Sequence, residues 1–456
     1  MERPGCTCLP VPTLLVVTAL WCAATIAPLA LWQWSPPLID SSYGGGHQPF
    51  ELLGMFLSLG ALLVAAWHVR RIDGAEPQSW VVAMLWLLPV LAVIQQVSEY
   101  AQPSWDWKCY VGAADALRAG LSPYTDCYLY PPLVAQLFAG AYPGFHWLGE
   151  TLAMMAPKHW MVVFFFWHSF QVLMVAFSML LLTRLAQREG MSRLVAVGVV
   201  AALLLVDTPL QRTIRHNQVN LIVLNVMLLA SDRIGSRSSV AGLLVAMAAH
   251  IKLLPAILIG VLGLQRRWVA VSVAVCSAVG LAAVQQWGMT PAGMWTQFFD
   301  HAPQFVQGEY FRDNSPTGLM FNLIRVPVDL LGGDIRGWAV PLRGVGLLAS
   351  VGLAAWVVQG MRTKPDDDRL WAEGMAVMLL MSPVTWEHHY VWALPIAVVA
   401  VARCWEHHPM RIGSALILIF GLPTFDVFPL SYHRLMGLII LFASVRGSAR
   451  AVNSGD

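Results

Sequence analysis

Apolar residues along this chain fall into blocks and do not alternate with polar ones. Six blocks reach or approach the roughly 20 apolar residues that a membrane-spanning helix needs. They are Pro10–Trp32, Phe50–Val69, Trp80–Val97, Trp160–Leu182, Trp268–Trp287 and Trp338–Val358. Shorter runs follow: Leu194–Val206, Val219–Ala230, Val240–Ala249, Leu254–Leu264, Leu370–Met381, Val391–Ala402, Ile412–Leu422 and Leu435–Val445. At about 11 to 13 apolar residues each, these fall short of a comfortable span. They come in pairs around polar tips, which a membrane tolerates only where protein or a water-filled cavity encloses the tip. The pattern predicts an all-α polytopic membrane protein of about 12–14 helices, several of them short.

Composition narrows this further. The 456 residues are 57% hydrophobic and only 12% charged, with 20 tryptophans. Soluble chains carry about 25% charged residues, and disordered ones are richer still in charge. A net charge of +2 is too small for a nucleic-acid partner. The first apolar segment, from Leu9 to Trp34, exceeds a signal-peptide core and reads as a retained span.

Arginine-rich short loops mark the cytoplasmic face. Arg70, Arg71, Arg184, Arg188, Arg193, Arg233, Arg237, Arg266, Arg267, Arg403 and Arg411 share one side when both termini are placed in the cytoplasm. Residues 1–79 then form an N-terminal helical hairpin within one transmembrane domain spanning 1–456. The segments 98–159 and 288–337 lie outside, with tips at Asp207–Asn220, Lys252 and Ser382–Tyr390. Seven cysteines show no repeated metal-ligand spacing. Cys109 and Cys127 share the first outside segment and read either as a bridge or as two free buried thiols.

The polar chemistry sits on those tips. Asp106 stands between Trp105 and Trp107, indoles suited to the membrane–water boundary. Tyr110, Ala113, Ala114 and Leu117 follow at helical spacing, so Asp106 opens a short helix. From the residues alone it is equally an N-cap aspartate, and Asp115 reads as solvent-facing. Tyr128–Phe138 is a Pro-Pro bend returning to the interface, with a packed loop as the equal alternative. The stretch from Arg212 to Asn220 offers guanidinium and amide groups suited to phosphate or sugar hydroxyls, or to lipid headgroups. Lys252 lies at the far tip of a hairpin, with His250 before it and Pro255 after it. It is either a site residue or a snorkelling anchor. Glu387, His388 and His389 lack the H-x-x-x-H spacing of a zinc helix and read better as a hydrogen-bonding cradle than as a metal site.

The order of these pieces resembles glycosyltransferase family 87, polyprenol-phosphate-mannose-dependent mannosyltransferases of the GT-C superfamily. The matching residues are Asp106, Tyr110, Gly120, Pro123 and Tyr124; Tyr130, Pro131 and Pro132; Gln218 and Asn220; Gly242, Lys252 and Pro255; Asn314 and Ser315; and Ser382, Pro383, Trp386, His388 and His389. Asn217 stands where the family usually has glycine, and the N-terminal hairpin is additional.

The resemblance implies a GT-C-type bundle in the plasma membrane, with interfacial helices in an outside loop and the active site facing outward. It implies transfer of a sugar, mannose by this likeness, from a polyprenyl-phosphate donor to a glycolipid or glycan, with inversion and without metal or cofactor. Asp106 is the implied base. Lys252, His388 and His389 fall to the donor phosphate, and Tyr110, Tyr124, Arg215, Gln218, Asn220, Asn314, Trp386 and Glu387 to substrate contacts. The chemistry is coherent: a lipid phosphate leaves without protonation, so one carboxylate suffices to deprotonate the acceptor. The departing phosphate needs cations and donors around it. The rival readings are an arabinofuranosyltransferase or another polyprenyl-phosphate-sugar transferase and, from another class, a secondary transporter, which would carry its charges near the midplane.

Overall fold

A computed structural model describes residues 85–90, 92–93, 104–124, 127–153, 159–288, 291–301, 313–333, 339–361, 367–425 and 428–451. The predicted spans Pro10–Trp32 and Phe50–Val69 lie outside these residues. The described chain is helical throughout, with no strand among the described residues.

The helices, in order, begin with α1 (Trp105–Arg118), α2 (Pro132–Ala153), α3 (His159–Arg188), α4 (Arg193–Val206), α5 (Thr208–Arg215), α6 (Asn220–Arg233) and α7 (Ser238–Ile251). After the 3-10 turn Leu254–Ala256 come α8 (Ile257–Leu264), α9 (Trp268–Trp287), α10 (Met294–His301), α11 (Pro316–Leu330), α12 (Ala339–Met361) and α13 (Asp367–Met381). A second 3-10 turn, Glu387–Ala393, leads into α14 (Leu394–Cys404), followed by α15 (Pro409–Leu416) and α16 (His433–Ala451).

Apolar pattern dictates where each helix sits. α14 is apolar on every side and buried along Leu394–Val401, as a helix without a polar face must be. α9 has tryptophans at both ends, and Trp268, Val279 and Trp287 are exposed while Ala270 and Ala274 are buried. It therefore packs through a stripe of small residues and turns its larger side chains toward lipid. Its partner is α7, where a Cβ on Gly242 would come within 2.2 Å of the Ala270 carbonyl oxygen.

Trp167–Arg188 within α3, and α9, are each long and apolar enough to cross a membrane. The pair α4 and α5 passes the same test together but bends by 57° between them. Asp207 makes the break: its carboxylate accepts the Leu210 amide at 2.9 Å, capping α5, and Pro209 follows. This bend directs α5 and the following loop toward α1.

Candidate active site

Ser104 caps α1. Its hydroxyl accepts the Trp107 amide at 3.1 Å and donates to the His216 carbonyl at 2.7 Å. Asp106 is thus not the cap itself but a first-turn acid whose carboxylate is free for other partners. Only Trp105 of its flanking indoles is exposed; Trp107 is buried against Phe138 and Trp167. The expected pair of interfacial anchors is therefore one anchor and one packing residue. Asp115 is exposed as predicted and pairs with Arg118 at 3.5 Å. Cys109 and Cys127 form a disulfide, with a Cα–Cα separation of 5.3 Å. The bridge ties α1 to the Tyr128–Tyr130 segment. Pro132 then occupies the first position of α2, where its missing N–H is harmless. The Pro-Pro pair opens a helix rather than a returning loop.

The second piece is the end of α5. Asn217 has φ +56°, its amide bonds to the Ile214 carbonyl at 3.0 Å, and the Gln218 amide bonds to the Thr213 carbonyl at 2.9 Å. This is the Schellman closure, which requires a left-handed residue, usually glycine or asparagine. Asparagine in the family's glycine position therefore preserves the backbone. The turn presents Gln218 toward α1: its Oε1 accepts Tyr110 Oη at 3.3 Å and Tyr130 Oη at 2.7 Å. With Oε1 so occupied, the Gln218 amide nitrogen is the group that hydrogen-bonds Asp106. His216 Nδ1 lies 3.9 Å from Asp106 Oδ2.

The third piece is Lys252, extended at the end of α7. Its Nζ lies 2.9 Å from His389 Nε2, 5.0 Å from the centre of the Tyr130 ring and 5.4 Å from that of Trp392. The two aromatic faces favour a cation there. His389 stacks on Trp392 at 5.3 Å, and its buried Nδ1 has no hydrogen-bond partner among the described residues. His250 points elsewhere, to Gln285 at 3.1 Å and the Ala278 carbonyl at 2.9 Å.

Backbone bonds fix the histidine turn. The His388 carbonyl accepts Thr213 Oγ1 at 3.1 Å and Asn220 Nδ2 at 3.0 Å, and its ring lies 4.6 Å from that of His389. Glu387 Oε1 pairs with Arg212 Nε at 3.1 Å. The amide of Asn314 donates to the Thr385 carbonyl at 2.8 Å, and its carbonyl accepts Tyr390 Oη at 2.9 Å.

Asp106, Tyr110, Gln218, Lys252, His388 and His389 thus converge. Asn220, Asn314 and Glu387 serve in the described contacts as buttresses of that cluster. Tyr124 lies one step back, its hydroxyl donating to the Tyr130 carbonyl at 3.1 Å. Arg215 and Trp386 are half-buried. Tyr130, His216 and Trp392 belong to the site although sequence reasoning did not select them as site residues. Tyr130 lay in the quoted Tyr-Pro-Pro piece, while Trp392 gave no signal beyond an apolar run.

Burial sets the electrostatics. It pushes the Asp106 carboxyl up to about 6, against the opposing pull of the Gln218 hydrogen bond and of Lys252. It pulls the Lys252 ammonium down to about 7, with Asp106 acting in the other direction. Carboxyl and ammonium are therefore both poised near neutrality, where a general base is most effective.

A family model described as "Glycosyltransferase family 87" matches residues 128–383, more than half of the chain. The chain belongs to glycosyltransferase family 87. This family 87 member is an all-α membrane glycosyltransferase, and the transporter reading is set aside. It is 31% identical over 312 residues to a polyprenol-phosphate-mannose-dependent alpha-(1-2)-phosphatidylinositol pentamannoside mannosyltransferase of Mycolicibacterium smegmatis; the match spans 64% of this chain and 68% of that protein. A second relative, from the same organism, is 26% identical over 320 residues, spanning 65% of this chain and 66% of its own length. It is a polyprenol-phosphate-mannose-dependent alpha-(1-2)-phosphatidylinositol mannoside mannosyltransferase.

Proposed function

We propose that this enzyme transfers mannose from a polyprenyl-phosphate donor to a phosphatidylinositol-mannoside type of glycolipid, on the outer face of the plasma membrane. The observation that carries the reading is the meeting of one carboxylate, Asp106, with a Lys252–His389 pair delivered by a different part of the chain. The names of the two relatives support the donor and the acceptor class.

Asp106 takes the proton from the acceptor hydroxyl as that oxygen attacks the anomeric carbon. Gln218, held by Tyr110 and Tyr130, aims the carboxylate. The bond from the anomeric carbon to the phosphate oxygen breaks with its electron pair on the oxygen. Lys252 and His389 stabilise the charge gathering there, and His388 supports them from the same turn. Attack from the face opposite the leaving phosphate inverts the anomeric centre. One carboxylate serves the reaction because a phosphate leaving group dispenses with the second acid that glycosidases need.

The test is incubation of purified enzyme with synthetic polyprenyl-phosphate sugars and a phosphatidylinositol-mannoside acceptor, followed by mass spectrometry of the product. Consumption of the mannosyl donor with growth of the acceptor by one hexose is expected. Preference for an arabinofuranosyl donor overturns the choice of sugar.

A further inference from the structure

The contact between Lys252 Nζ and His389 Nε2 is 2.9 Å, nitrogen to nitrogen. Such a contact holds one hydrogen: one nitrogen donates and the other accepts. If both groups were fully protonated, two N–H bonds would face each other. With Lys252 as the donor, the His389 proton is on Nδ1, which is buried without a hydrogen-bond partner among the described residues. While that contact lasts the pair carries at most one positive charge, and a second proton requires His389 Nε2 to turn from Lys252 to an anion.

The reaction supplies that anion in two stages. The donor phosphate is a diester with one negative charge. Cleavage of the sugar–oxygen bond leaves a monoester with a second ionisable oxygen, whose pKa is about 6. The added charge develops on the atoms facing the pair and raises the proton affinity of its basic nitrogens.

Taking the phosphate reading of this site as its basis, we propose that Lys252 and His389 form a proton-sharing pair that senses phosphate charge. The pair binds the diester donor with its single proton and takes up one more from solvent as the monoester product forms. The acceptor's proton is on Asp106 at that moment. Both protons leave when the product leaves, so the cycle closes with the one proton that mannosyl transfer releases.

The charged and titratable groups around the pair agree with this. Asp106 approaches from α1, Arg212 from α5, His216 from the following turn, Tyr130 from the segment before α2, and Glu387 and His388 from the histidine turn. Arg212 is tied to Glu387 at 3.1 Å. Asp106 is engaged by Gln218. Burial lowers the Lys252 ammonium to about 7, and burial together with the Lys252 charge holds the His389 imidazole well below its ordinary range, so an anion is needed to bring a second proton onto the pair.

Calorimetric titration of the purified full-length enzyme with farnesyl phosphate, and separately with its methyl diester, tests the idea in buffers of unequal ionisation heat. The pH is set well above the monoester's own pKa of about 6. Uptake larger by about one proton with the monoester than with the diester is expected, and His389→Gln should abolish that excess while weakening binding by roughly tenfold. Equal uptake for both ligands, no uptake, or an excess that survives in His389→Gln overturns the pair, the last because the phosphate itself then carries the proton. Lys252→Ala separates the two levels. If it binds farnesyl phosphate as tightly as the unaltered enzyme, the phosphate reading itself fails. If its binding weakens but the unaltered enzyme takes up no proton, only the charge-sensing pair fails.

Discussion

α6 and α14 each connect two unlike regions of the bundle. α6 begins at Asn220, in the site, and ends at Arg233, about 20 Å away by helical rise. At the far end charges are matched. Arg188 bonds Asp368 at 2.7 Å and Asp232 at 2.9 Å, Arg369 bonds Glu373 at 2.8 Å, and Arg403 pairs with Glu189. At the near end Arg212 and Glu387 are matched as well, but Asp106 has an amide and a histidine as partners, Lys252 meets an imidazole, and His389 Nδ1 has no hydrogen-bond partner among the described residues. Paired charges hold helices together. A buried charge whose partner is neutral is costly, and such a group persists where a substrate completes it.

Breaking the unmatched end should be felt in catalysis. The largest effect belongs to Asp106→Asn, expected to lower turnover by roughly 100-fold or more while leaving thermal unfolding and donor binding close to those of the unaltered enzyme. Near-normal turnover in a folded variant would exclude Asp106 as the base. Lys252→Ala and His389→Ala should each weaken donor use by about 10- to 100-fold, the value of a charge-assisted bond. Because they share one partner, the double variant should lose less than the product of the two effects. Full additivity in the kinetics would mean separate tasks.

The pH profile sharpens the comparison. Asp106 acts deprotonated, and its carboxyl is raised to about 6. kcat/KM should therefore fall about tenfold per pH unit on the acid side of that value. Lys252 acts protonated and is lowered to about 7, so activity should also decline on the alkaline side, and Lys252→Arg should push that limb upward. A flat profile across this range is the contrary result. Smallest of all is Arg188→Ala at the matched end. The pairs there are half-exposed, so a loss of about 1 kcal/mol or less is expected in thermal unfolding, with turnover per folded enzyme unchanged.

Much of the fold could be read in advance, because helix burial follows composition. The run Trp268–Trp287 is a helix with those same ends, and Trp160–Leu182 lies within α3. The short runs became short helices, and Asp207–Asn220 became a bent tip rather than a plain loop. Asp106, Lys252 and the histidines could be picked out because polar groups on apolar helices are conspicuous. Their supports could not. Ser104 reaches the His216 carbonyl across 112 residues, and Arg212 reaches Glu387 across a still longer gap. No local pattern encodes such a pairing. Trp392 was hidden for the opposite reason: an indole in an apolar run looks like ordinary core.

The near-contact of Gly242 with the Ala270 carbonyl acts as a fulcrum. Lys252 lies ten residues further along, about 15 Å at helical rise. Tilting α7 by roughly four degrees about that point would swing the ammonium by about 1 Å, enough for a misplacement of this size to cost on the order of 100-fold in rate. A single methyl group added at position 242, remote from every reacting atom, would therefore be magnified by the length of the rod into an error at its tip.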